Sequence, residues 1–351
     1  MPDTTVPEKK PGAVPPILLG SSPHIALPIS TTFIMGNMLV ALLPVSIFGI
    51  IIFGVPALLN ILVSVLAAIA GETLFRLVTR QPLRIKDLSA GVSGLLLALV
   101  IPPSTPLWMT ALGAVFAVVV AKEFFGGLGA NVFNPALVGR AFLLMSFPAA
   151  MTTWPMPASF ATAVAGTDIA GGIDAVSGAT PLAVYASGGV APAIKALFFG
   201  HHGGCTGETS IMLILAAFMY LLVTRTIDWR APVSMAAAAC VTSLILRIDP
   251  LFSLLSGGLL FGAVFMTTDY VTAPLTAKGK VIFGIGAGVI TILIRKWGTY
   301  PEGVSYAILI MNAATPFLNK LLPRKYGYVP KKKPLAGGMS STPHSGKGAT
   351  K

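Results

Sequence analysis

Asp174, Ser177 and Thr180 stand at every third position in the run Asp174-Ala175-Val176-Ser177-Gly178-Ala179-Thr180. A carboxylate and two hydroxyls, separated only by small residues, suit a phosphate-bearing ligand. Gly178 lets the backbone approach a bulky group closely, and Ala179 adds little side-chain bulk. Ser177 and Thr180 offer hydroxyls and backbone donors to phosphate oxygens. Pro181 biases Thr180 towards extended backbone, which would leave its hydroxyl open to a modifying enzyme. Asp174 can order the turn or assist a metal during group transfer. The same residues also read as a plain small-residue loop, with Ser177 or Thr180 capping a helix at 181–187.

Other polar residues lie in or beside apolar segments. A charge at the bilayer centre costs about 2.5–3.5 kcal/mol or more, so Glu72, Glu123 and Asp269 read as ion ligands or proton carriers. Glu72 and Glu123 also read as partners of neighbouring Arg76 and Lys122 near the inner surface, and we adopt that pairing. Arg140 is a basic residue inside an apolar segment, where it pairs with Glu123 or faces a ligand or partner helix. Asn131-Val132-Phe133-Asn134-Pro135 falls in a helix break whose freed backbone groups can bind a cofactor or ion. In the simpler reading, Asn134 caps a helix that Pro135 begins. Asn134, Arg140 and Asp269 thus form a candidate second ligand or ion site. His201, His202 and Cys205 are metal-ligand types, but no paired fourth ligand accompanies them. We read that run as loop and expect no metal site.

These residues must be positioned by a membrane scaffold. The chain has 351 residues, of which 54% are hydrophobic and only 10% charged, against roughly 25% charged in a soluble domain. Most of its surface must therefore face lipid or other apolar helices. The segments are rich in Gly, Ala and Leu and broken by Pro and Gly, without the dyad alternation of a transmembrane barrel. The net charge of +12 sits largely in a C-terminal basic run, which the positive-inside rule expects beside a last span. Nucleic-acid binding is not the expected partner class. Two cysteines are too few for a disulfide framework or for a cluster held by this chain alone. The polar, Pro-rich N-terminus lacks a charged-then-apolar signal pattern, so the first apolar run reads as an internal span.

Ten apolar helical segments are predicted, at 33–54, 56–79, 88–101, 106–125, 134–149, 209–224, 232–247, 250–267, 280–295 and 303–321. The short ones at 88–101 and 134–149 read as tilted, broken or re-entrant. Ten spans place both termini on one side. Lys9, Lys10, Arg76, Arg80, Arg84, Lys86, Lys122, Arg225, Arg230, Lys278, Lys280 and the basic tail then share that side, which the charge rule makes cytoplasmic. Lys195, Arg247, Arg295 and Lys296 lie opposite, as does Thr180. If 88–101 and 250–267 are both re-entrant, eight spans remain and Thr180 moves to the inner side. The charge pattern does not choose between the two.

Gly94-Leu95-Leu96-Leu97-Ala98-Leu99-Val100 recurs loosely as Gly258-Leu259-Leu260-Phe261-Gly262-Ala263-Val264. A turn with Thr and Pro, a small-residue span, a Gly-containing break and a last helix follow in each half. Five helices per half would make the repeats inverted, a common plan in proteins that move ions or solutes. The chain divides into a polar segment 1–32, a first membrane repeat 33–149, an extramembrane loop 150–208, a second membrane repeat 209–321 and a basic tail 322–351.

The run 174–180 with Pro181-Leu182-Ala183 behind it resembles the flavinylation motif Asp-x-x-Ser/Thr-Gly-Ala-Thr. Set in a polytopic chain of this length, it resembles the D subunit of the Rnf electron-transport complexes and, next, the B subunit of the sodium-translocating NADH:quinone reductase. Further matches are Ser22-Pro23-His24, Asn131 to Ala136, Gly207-Glu208-Thr209-Ser210 and Thr267-Thr268-Asp269. Cys205 departs from the small hydroxyl residue expected there. The resemblance implies an all-helical integral membrane subunit with FMN on Thr180, within a binding run of Asp174, Ser177, Gly178 and Ala179. It implies a flavin transferase using FAD and magnesium, partner subunits in a multi-subunit complex, and in some relatives a non-covalent riboflavin. Such complexes move electrons between reduced ferredoxin and NAD, coupled to sodium or proton transport, and this subunit would not be complete alone. It implies a bacterial or archaeal inner membrane, with the Thr180 loop outside. A solute channel or transporter of similar fold, or a cofactor-free assembly scaffold, is the alternative if the motif is incidental.

Overall fold

Glycine and proline mark the places where one apolar helix gives way to the next. The computed structural model describes residues 30–83, 85–155, 182, 197–198, 203–298 and 302–320. Ser30 opens α1 (Thr31–Phe53), its Oγ accepting the Phe33 amide at 3.1 Å. Gly54, at φ 72°, breaks the chain in a conformation that side-chain-bearing residues rarely adopt, and Pro56 lies in the first turn of α2 (Val55–Val78). The inner face of α2 carries Asn60, Ser64 and Ala68 at intervals of four, so all three stack on one side. Ser64 donates to Gly94 O at 2.6 Å, and the Asn60 amide donates to Pro103 O at 2.7 Å.

The helix α3 (Ser89–Val100) packs on that face and is buried all round, with Leu97 and Leu99 fully covered. Its 12 residues span about 18 Å, short of the roughly 30 Å hydrocarbon core. The helix therefore ends within the protein, where Ile101 turns extended ahead of Pro102. The chain returns through α4 (Leu107–Val119), breaks at 126–134, and enters α5 (Pro135–Ser146), capped by Asn134.

The second half follows. It runs through α6 (Ile211–Val223), α7 (Arg230–Ile245) and the short α8 (Pro250–Leu255). After a break at 256–258 come α9 (Leu259–Phe261) and a π turn over Gly262–Met266, then α10 (Ala277–Trp297) and α11 (Val304–Lys320). The sequence expects one segment at 250–267; Gly257, at φ 62°, splits it. In the first half α2 packs on α3 and α4, and α4 on α5; in the second α7 packs on α8 and α10, and α10 on α11. The halves meet through α1 with α6 and α5 with α11.

Every described helix or turn of helix belongs to this all-helical plan. Among the described residues four helices are long and apolar enough to cross a membrane: α1, α2, α4 with its extension to Phe125, and α10. The chain is a multi-pass membrane protein. Two ends can be distinguished. At one, Lys280 at the start of α10 pairs with Asp228 at 3.1 Å, and Thr32 donates to Lys86 O. At the other, Arg295 near the end of α10 donates to Ser253 O and Ser256 O. Fifteen residues of helix separate Lys280 from Arg295, which is about 22 Å along the axis.

Candidate functional site

Thr180 and its neighbours Asp174, Ser177, Gly178 and Ala179 lie outside the described residues, as do His201 and His202. The nearest described residue is Leu182, two positions on. It is buried and packs against Leu197, Ile211 and Phe252. That places it at the Arg295 end of the molecule, away from the start of α1.

At the opposite end, the helix breaks of both halves converge on a cleft of about 650 Å³, its open mouth included. Asn131 and Asn134 contribute from the first half, Asp269 and Tyr270 from the second, and Met38 and Phe265 line its apolar part. Two of the three residues predicted for a second site thus meet here. Both carry local duties. Asn134 Oδ1 accepts the Ala136 amide at 3.1 Å and the Leu137 amide at 3.4 Å, capping α5. Asp269 accepts the Val271 amide at 3.3 Å and the Thr272 hydroxyl at 3.0 Å. Asn131 differs: its amide nitrogen donates to Phe133 O, while its buried Oδ1 has no hydrogen-bond partner. A buried acceptor left open is costly, and it fits a ligand that brings an N–H. An open acceptor among apolar walls suits a flat ring with apolar faces and an N–H on its edge.

Arg140 does not join them. It points to a separate buried cluster, pairing with Glu302 and lying 4.0 Å from Glu208. The expectation that Arg140 pairs with Glu123 is corrected: Glu123 binds Arg76 at 3.1 Å, and Lys122 binds Glu72 at 3.1 Å and Ser89 Oγ at 2.6 Å. The reason is chain direction. Lys122 and Glu123 sit where α4 ends, whereas α5 runs back and carries Arg140 towards α11. Glu72 and Glu123 keep the paired, structural role that the sequence favours.

Sequence spacing gives no sign that Glu208 and Glu302 partner Arg140. Glu208 stands out only within the run Gly207 to Ser210, and Glu302 only as a neighbour of Gly303 in the second helix break. Their carboxylates and Cys205 Sγ lie within 4.8 Å of one another. Arg140 pairs with the two carboxylates and Arg295 supplies the second positive charge acting on them, and Cys205 Sγ donates to Val100 O at 3.0 Å. The arrangement is a charge-balanced tie between the halves.

Comparison with known proteins gives this geometry its context. Residues 18–327 match the family model described as the NQR2, RnfD, RnfE family. The chain is 41% identical over 327 residues to the D subunit of the proton-translocating ferredoxin:NAD(+) oxidoreductase complex of Clostridium ljungdahlii, covering 88% of this chain and 96% of that one. It is 40% identical over 323 residues to the D subunit of the Na(+)-translocating ferredoxin:NAD(+) oxidoreductase complex of Acetobacterium woodii, covering 90% and 97%. It is also 40% identical over 331 residues to the D subunit of the ion-translocating oxidoreductase complex of Stutzerimonas stutzeri, covering 86% and 94%. A match across nearly the whole chain, through both helix breaks and the loop between the halves, shows that the chain belongs to the NQR2, RnfD, RnfE family.

Proposed function

We propose that this chain is the flavin-carrying membrane subunit of an ion-translocating oxidoreductase that passes electrons between reduced ferredoxin and NAD. FMN is joined through its phosphate to Thr180. The observation that carries this reading is Asp174 to Thr180, set between the two membrane halves of a chain at least 40% identical to two named ferredoxin:NAD(+) oxidoreductase subunits. Bound flavin would supply one- and two-electron chemistry; the protein supplies position and electrostatics. A flavin transferase installs the group, and other subunits of the complex hold the remaining redox centres. Covalent attachment keeps the group at a site open to solvent.

The ten-crossing plan in two inverted repeats accompanies this reading. The same helix pairs pack in each half, and Leu182 lies at the Arg295 end of α10, opposite the start of α1. Both observations support a Thr180 loop on the face opposite the termini. The basic residues Arg80, Lys86, Arg225 and Lys280 collect at the α1-start end, which supports a cytoplasmic assignment for that face. The cleft holding Asn131, Asn134 and Asp269 then opens to the cytoplasmic side and is the candidate place for a second, non-covalent flavin. There Asn131 Oδ1 would accept a ring N–H, and the apolar walls would exclude water from the ring faces.

Co-expression tests the assignment. The chain made with a flavin transferase should keep a yellow, ultraviolet-fluorescent band through a denaturing gel. The chain made without it, and Thr180→Val made with it, should show no such band. Fluorescence that persists in Thr180→Val would overturn the attachment site.

A further inference from the structure

Glu208 differs from the other charged members of the buried cluster between the halves. Arg140 keeps Glu302 as its close partner, while Glu208 stands 4.0 Å from Arg140. Arg295 approaches from α10 and donates to Ser253 O at 2.5 Å and to Ser256 O at 3.0 Å. With Glu208 neutral, Arg140 would keep a carboxylate and Arg295 two carbonyls, so neither guanidinium would be stranded. With Glu302 neutral, Arg140 would have only the more distant carboxylate, and an unpaired buried charge is costly. The titratable groups that face Glu208 are Glu302 ahead of α11, Arg140 on α5, Arg295 on α10 and Cys205 in its own segment. Glu208 itself stands in the connection ahead of α6. Burial, with the Glu302 carboxylate beside it, pushes its carboxyl up to about 7, against the pull of Arg140 and Arg295.

The Gly257-Gly258 turn is a thin wall between Glu208 and a cleft on the Leu182 face. A Cβ on Gly258 would collide with Glu208 Oε1, and one on Gly257 would stand 3.1 Å from Arg295 Nη2. Arg295 lines that cleft together with Arg247, Lys296 and Leu182, and the space measures about 710 Å³ with its mouth. Ser210 lies two residues past Glu208, and Ser256 two before Gly258. Both are buried, and among the described residues neither hydroxyl has a hydrogen-bond partner. A hydroxyl can donate and accept in turn, as a proton relay requires.

We propose that Glu208 is a reversible proton-binding site that exchanges with this cleft, with Ser210 and Ser256 as its relay and Glu302 and Arg295 setting its proton affinity. Loading converts the Glu208 carboxylate to a carboxylic acid. The proton comes from water in the cleft and returns to it, and no other bond changes. Arg247, Arg295 and Lys296 at the cleft oppose a metal cation on the same path. Such a site gives the subunit a place to load or discharge a proton at the Leu182 face. The inference does not depend on the attachment at Thr180.

Infrared titration of the full-length chain in neutral detergent tests this. A protonated-carboxyl band should grow as pH falls through about 7 and should be missing from Glu208→Gln. Glu302→Gln should move the midpoint down and Arg295→Gln should move it up, each by about 1 pH unit or more. Exchanging choline chloride for sodium chloride at equal concentration should leave the midpoint in place. After a rapid pH jump, Ser210→Ala with Ser256→Ala should slow the growth of the band several-fold at an unchanged midpoint. A parent chain without the band, or a band that Glu208→Gln retains, overturns the inference. Shifts of the same sign in Glu302→Gln and Arg295→Gln overturn it as well, and these two variants decide the matter if Glu208→Gln does not fold. A midpoint lowered by sodium would assign the carboxylates to a metal cation and overturn proton binding. An unchanged rate in the double serine variant would overturn the relay.

Discussion

Arg140 ties the two membrane halves together through single atoms. It reaches from α5 to Glu302, just ahead of α11, and to Glu208, just ahead of α6. Removing one member of such a buried pair leaves the other charge uncompensated, at a cost of about 3–5 kcal/mol. Arg140→Leu should therefore lower the melting temperature in detergent clearly, and Arg140→Leu with Glu302→Leu should recover part of the loss. A double variant no better than the single one would show that the tie is not a pair. Asp228 offers a milder case at the α1-start end. Burial pushes its carboxyl up, but the Arg230 amide and the Lys280 and Arg230 side chains outweigh this and hold it below its ordinary value of 3.8. A depressed carboxyl stabilises the fold above its unfolded value and loses that contribution as pH falls through the folded one. The gap in stability between the protein and Asp228→Asn, about 0–1 kcal/mol for a partly exposed pair, should be full at pH 6 and fade below pH about 3.8. A gap that widened on acidification would contradict this. Sequence spacing reveals that Glu72 pairs with Arg76, one helix turn on, but not that Lys122 and Glu123 cross over to Glu72 and Arg76. Nor does it reveal Arg140 with Glu302, because only the fold brings such distant residues together.

Helix contacts in this protein depend on small residues more than on bulk. Gly284 and Gly288 lie one turn apart on α10 and face α7 so closely that a Cβ on Gly288 would stand 2.5 Å from Met235 O and 3.1 Å from Ala239 N. Close backbone approach of this kind is a common way for helices to pack in lipid. Gly288→Val should destabilise the fold by about 1–3 kcal/mol or more, whereas Gly36→Ala, with open space around it, should leave thermal stability unchanged. Equal effects at the two positions would contradict the packing account. The element positions are largely legible in the sequence, since apolar runs bounded by Pro and Gly announce helices. What composition does not show is how far each helix reaches. The length of Ser89–Val100 marks it as short, but composition does not show that it is buried all round and ends just before Pro102. The π turn after Phe261 likewise leaves no mark in the hydrophobic pattern.

At the scale of the whole molecule the central question is which side each feature faces. The starts of α1, α3 and α10 lie at one face and Leu182 at the other, with about 22 Å of α10 between Lys280 and Arg295. A single cysteine at position 187, in a chain whose own Cys205 and Cys240 are replaced, should react with a membrane-impermeant reagent in whole cells. Labelling only after lysis would place the loop inside and favour the eight-span arrangement. Charge counts fit both arrangements, so the sequence does not choose between them. The position of Leu182 supports the outer one, and the functional proposal depends on what stands two residues before it. The most direct measurement is the intact mass of the purified chain, made with the flavin transferase, beside that of Thr180→Val. The account predicts that the first exceeds its sequence mass by one FMN less water and that the second matches its sequence mass. An unmodified first chain, or the same excess in both, would contradict it.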